Sequence, residues 1–67
     1  MVKCHLSRLM GEHRINITDL ADATGLNRNT ITLLFHEKAK RVDLEALEKL
    51  CMYFNCKVGD ILELTKD

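Results

Sequence analysis

Arg28, Asn29, Thr32 and Leu33, spaced as one face of a helix, are the side chains of this chain best suited to reading the edge of a base pair. A guanidinium gives two parallel hydrogen bonds to O6 and N7 of guanine. A carboxamide pairs with N6 and N7 of adenine, and a leucine among polar neighbours fits a thymine methyl. The lesser alternative for Leu33 is an apolar contact between copies of the protein. Other chemistry is sparse. No nucleophile stands beside a base, no carboxylates pair, and there is no glycine-rich phosphate loop, so catalysis is not expected. His13 and His36 lie near expected helix ends, where a histidine serves as a terminus charge or a phosphate contact more often than as a ligand. Cys4, Cys51 and Cys56 are odd in number and lack CxxC spacing, which predicts free thiols. A zinc site from Cys4, His5, Cys51 and Cys56 would require the first and fourth helices to meet, and these spacings match no zinc pattern. No metal and no cofactor is expected.

Positioning such a face takes two helices and a sharp corner. Residues 16–36, NITDLADATGLNRNTITLLFH, supply both. Asn16 caps the first of these helices, with Asp19 three residues on as in a capping box, and the helix runs to about Thr24. Gly25 ends it where the backbone turns to positive φ, which costs glycine nothing. Ala21 lies at the crossing of the two helices, where a larger side chain would spoil the packing angle. Asn27 caps the second helix, Arg28 to about Phe35. Leu20, Leu26, Ile31 and Leu34 point inward at helical spacing and leave Arg28, Asn29, Thr32 and Leu33 outside.

Three more helices are expected. The first, about residues 2–13, carries Val2, Leu6, Leu9, Met10 and His13 along one stripe. Asp43 caps the fourth, which turns Leu44, Leu47, Leu50, Cys51 and Phe54 inward, turns Glu45, Glu48 and Lys49 outward, and ends near Asn55. The fifth spans about Val58–Leu64 and buries Ile61 and Leu62.

The stretch 16–36 resembles the helix-turn-helix of the Cro/phage-repressor (Xre) family of DNA-binding proteins. Residues 42–64, VDLEALEKLCMYFNCKVGDILEL, look like the last two helices of its small single-domain members, with a Leu-Glu-Lys-Leu-Cys run and a closing Gly-Asp-Ile-Leu. The resemblance spans nearly the whole chain. It implies an all-α, compact five-helix, lambda-repressor-like domain over residues 1–67, with its helix-turn-helix at about 17–35. It further implies base contacts from Arg28, Asn29, Thr32 and Leu33. Phosphate contacts are expected from Asn16, Ile17, Asn27, Thr30, His36, Lys38, Lys40 and Arg41, the last three in a basic loop that otherwise reads as a solvated turn. Two positions depart from the family. A glutamine that grips phosphate is usual where Ile17 stands, which leaves the backbone amides and the helix dipole to do that work. A glycine is usual where Glu37 stands, so either the helix ends differently here or a Cβ is held at positive φ at a cost near 1 kcal/mol. Xre domains often dimerise through their last helix, which makes Tyr53, Val58 and Leu64 the candidate interface.

Sixty-seven residues form one small, marginally stable domain that dimerisation would help. No long apolar run, export signal or linker is visible, which predicts a cytoplasmic protein without a membrane partner. The net charge of zero conceals a division. Residues 1–41 hold seven basic and four acidic side chains, net +3, and residues 42–67 hold three and six, net −3. The basic part contains the expected reading helix. The function implied is a sequence-specific regulator of transcription on double-stranded DNA, a repressor acting as a homodimer on a palindromic operator. The alternative is a protein-interaction module of the same fold, antitoxin-like or an anti-repressor partner, that binds DNA weakly or not at all.

Overall fold

The computed structural model describes residues 1–66. Its elements run β1 (Val2–Cys4), α1 (Leu6–Glu12), α2 (Ile17–Thr24), α3 (Arg28–Phe35), α4 (Leu44–Phe54), α5 (Val58–Ile61) and β2 (Leu62–Leu64). The fold is mostly helical, and a two-stranded antiparallel ladder joins the two ends of the chain, with Val2 opposite Leu64, Lys3 opposite Glu63 and Cys4 opposite Leu62. This corrects the all-helical reading at both ends. Val2 continues the four- and three-residue spacing of Leu6 and Leu9, so periodicity extended the first helix too far. The backbone of residues 2–4 pairs instead with 62–64, and Leu64 belongs to a strand, not to the fifth helix. Beyond the ladder, the Met1 ammonium donates to the Thr65 carbonyl at 3.0 Å, and the His5 amide donates to the Ile61 carbonyl at 2.7 Å. His5 Nε2 and Glu63 Oε1 stand 2.8 Å apart across the ladder's end.

The core lies where the helices converge. Leu6, Leu20, Ile31, Leu50 and Ile61, one from each helix, are wholly buried, each contributing about 1.5–3 kcal/mol relative to exposure. Leu9, Met10, Ala21, Leu34, Leu47 and Phe54 complete the cluster, with Leu26 and Leu62 half-buried against it. Three expected core residues lie elsewhere, the first being Val2, exposed in β1. Leu44 is 80 % exposed and Ala46 is buried in its stead, because the inward stripe of α4 runs 46, 47, 50, 54 and the first helical residue falls off it. His13 is exposed at the end of α1, where its Nδ1 donates to the Leu9 carbonyl at 3.0 Å and its ring meets Phe54 edge-on.

The helix ends follow a common geometry with uncommon residues. Gly25 closes α2 at φ 75°, its amide donating to the Ala21 carbonyl at 2.8 Å. The other three left-handed closures use Arg14 (φ 52°), Glu37 (φ 57°) and Asn55 (φ 53°). Each is a Schellman turn. The amides of Arg14 and Ile15 return to Gly11 and Met10, those of Glu37 and Lys38 to Leu34 and Leu33, and those of Asn55 and Cys56 to Met52 and Cys51. The question posed by Glu37 is thereby answered: the helix ends as glycine would end it, and a side chain is held at positive φ. That side chain has a role. Its Oε1 accepts the Cys4 amide at 3.0 Å and so ties the end of α3 to the outer edge of β1.

Candidate nucleic-acid interface

The corner between α2 and α3 is set by two amide caps. Asn16 Oδ1 accepts the Asp19 amide at 2.7 Å and Asn27 Oδ1 accepts the Asn29 amide at 2.7 Å, so both helices begin with one of their orphan donors satisfied. Only this half of the capping box expected at Asn16 and Asp19 is seen among the described residues. At the far end of α2 the Thr24 hydroxyl donates to the Leu20 carbonyl and accepts the Leu26 amide. That side chain, unremarked in the sequence, stiffens the corner from inside. Ala21, buried between the helices, and Leu26, half-buried beyond the glycine, fix how α3 lies across α2.

With its core side anchored by Ile31 and Leu34, α3 presents Arg28, Asn29, Leu33 and the capping residue His36 to solvent, with Thr32 half-exposed among them. The side chains differ in freedom. Thr32 turns its hydroxyl back onto the Arg28 carbonyl at 2.8 Å. His36 rests edge-on against Phe35. Arg28 Nη1 donates to Thr18 Oγ1 at 3.4 Å, holding the guanidinium near the first turn of α2. Thr18 escaped the sequence reading because it lies ten residues from Arg28 and becomes its neighbour only when the corner folds. Thr30 is half-buried at the margin of the face, and Asn27 is exposed at the helix start.

Ile17 differs from the other expected phosphate contacts. Its side chain is half-buried and packs against the core, so the α2 terminus presents Asn16, Thr18 and backbone there rather than a gripping side chain. The loop after α3 is the reverse case. Lys38, Lys40 and Arg41 are exposed, while Ala39 and Val42 pack on the core. The amides of Lys38 and Ala39 both donate to the Leu33 carbonyl, at 2.8 and 3.2 Å. The loop is therefore fixed to the body that carries α3. Among the described residues, His5 meets Glu63 at 2.8 Å and Lys49 pairs with Glu45 at 3.3 Å. Arg28, Lys38, Lys40 and Arg41 have no carboxylate at that range among the described residues, and their charge is open to an anion.

The cysteines separate as well. Cys4 sits in β1, its thiol pushed up by burial and by the Glu37 carboxylate, whereas Cys51 and Cys56 lie at the α4–α5 turn. No group of three or more His, Cys, Asp or Glu side chains able to hold a metal occurs among the described residues. Tyr53, Val58 and Leu64 fall on three different elements. Tyr53 shares a groove with Ala23, Thr24 and Met52, Val58 shares another with Leu44 and Met52, and Leu64 stands beside Val2 on the ladder, both largely exposed.

A family profile described as the Cro/C1-type HTH DNA-binding domain matches residues 5–67. The chain is also similar to the HTH-type transcriptional regulator YozG of Bacillus subtilis, 30 % identical over 59 residues that cover 88 % of this chain and 70 % of that protein. No described helix is long and apolar enough to cross a membrane. The match spans the capped corner, α3 and the loop after it, and the chain belongs to the Cro/C1-type helix-turn-helix DNA-binding family.

Proposed function

We propose that this protein is a sequence-specific regulator of transcription that represses by occupying a palindromic operator as a homodimer. The observation that supports the reading is the outward face of α3, where Arg28, Asn29 and Leu33 are exposed and Thr32 half-exposed, together with the exposed cations Lys38, Lys40 and Arg41, which have no ion-pair partner among the described residues; in this reading the first four meet bases and the cations meet phosphate. Asn16, Ile17, Asn27, Thr30 and His36 border that face and contact the backbone, Ile17 through its amide alone. A helix entering the major groove covers few base pairs, so a second copy supplies the rest of the site. The dimer covers the exposed apolar side chains Leu64, Val58 and Tyr53. Leu64 is central because the ladder uses the inner edge of β2 for β1, and a two-fold related β2 fits the outer edge.

The inward turn of Ile17 favours a second reading, a protein-interaction module of the same fold. Fluorescence anisotropy with labelled duplex DNA at two salt concentrations separates the two. A regulator binds with a strong salt dependence and prefers some duplexes at fixed salt. An interaction module shows neither.

A further inference from the structure

Two of the three cysteines are brought together by the backbone where α4 ends. The Schellman turn at Asn55 closes with the Cys56 amide donating to the Cys51 carbonyl at 3.0 Å and the Asn55 amide donating to the Met52 carbonyl at 3.4 Å. A turn of this kind brings the side chain of the third residue inside the helix end against that of the second residue beyond it, a place ordinarily filled by an apolar pair. In α1 that pair is Met10 and Ile15. In α4 it is Cys51 and Cys56. Both thiols are half-buried and open onto one groove, and the thioether of Met52, 76 % exposed, lines the same groove.

We propose that Cys51 and Cys56, with Met52, form a binding site for a soft monovalent cation of the Cu(I) and Ag(I) class. Thiolate and thioether sulfur select such ions, hard cations demand oxygen, and structural zinc demands four ligands. Binding replaces two S–H bonds by two metal–sulfur bonds and releases two protons, giving a bis-thiolate with one net negative charge; nothing is oxidised or reduced. Burial, the Cys51 thiol beside it and then Asp60 push the Cys56 thiol up, and Glu48 and Lys57 are the charged residues that line the groove itself. Because the ion displaces thiol protons, affinity rises with pH. The ion would bridge the last turn of α4 to the segment leading into α5, so loading also raises thermal stability.

The test is anaerobic titration of the reduced protein with Cu(I) against a chromogenic chelator, with X-ray absorption on the loaded wild-type protein. One ion per chain, about two protons released per ion and a sulfur-only shell are expected. Cys51→Ser and Cys56→Ser should each weaken binding more than about a hundredfold and Met52→Leu about tenfold. Cys4→Ser, in β1 and outside the groove, should change nothing. Melting curves establish that each variant is folded, and the absorption spectrum of the wild type stands without them. Nitrogen or oxygen in the first shell, undiminished binding in the Cys51→Ser, Cys56→Ser double variant, or loss in Cys4→Ser would overturn the assignment.

Discussion

Arg28 and Asn29 differ in how the fold holds them. Asn29 is exposed on the outer face, while Arg28 is already leaned toward Thr18 at the start of α2, which shortens the search for a bound geometry. If both read bases, Arg28→Ala and Asn29→Ala should each cost about 1–3 kcal/mol at the operator and relax preference at one base pair, with little change on random DNA. Competition binding against both DNAs measures this, and equal losses on the two would assign the residues to phosphate. Arg14 offers a test away from DNA. It is exposed at φ 52°, a conformation that costs a side chain about 1 kcal/mol. Arg14→Gly should raise stability by about 0.5–1 kcal/mol, or several degrees in the melting temperature. The same exchange at Glu37 should come out near neutral, because the relieved strain is offset by loss of the acceptor for the Cys4 amide.

The elements legible in the sequence were those whose residues signal locally. Asn16, Asn27 and Gly25 each announce a helix boundary through their own side chain or backbone preference, and the structure keeps all three. The ladder carried no such signal. Strands of three residues are too short to show alternation, and their pairing spans sixty residues of chain, so only the folded body brings Val2 to Leu64. Leu44 misled for a related reason: a leucine at helical spacing in the first turn looks inward until neighbouring elements fix where the core lies. Arg28's bond to Thr18 was hidden in the same way, since it exists only across the folded corner. The corner itself is testable. A Cβ at Gly25 would meet no atom within 4 Å, so the cost of Gly25→Val is backbone strain alone, about 1–3 kcal/mol, and Gly25→Ala should cost less. Ala21→Leu should cost about as much by overpacking. Thermal melts without DNA read all three, and wild-type melting of Gly25→Val would mean that the corner is not held at positive φ. For the loop, Lys38→Ala, Lys40→Ala and Arg41→Ala should each flatten the salt dependence of binding by about one unit and leave sequence preference intact.

At the scale of the whole molecule, the charge division and the apolar surface point to different partners. The net-positive segment 1–41 carries Arg28, Lys38, Lys40 and Arg41, the cations of the proposed DNA face, whereas Leu64 and Val2 stand exposed on the ladder that closes the chain. If the ladder is the dimer contact, Leu64→Asp should lower both the dimer fraction in sedimentation and the operator affinity while the monomer still melts cooperatively, since Leu64 lies outside the core. The central claim, that this fold reads a DNA sequence through two copies of α3, is tested most directly by selecting bound duplexes from a random pool. The expected outcome is enrichment of a palindrome whose half-sites lie about one helical turn, roughly 34 Å, apart. Recovery of no shared sequence after repeated selection would contradict it.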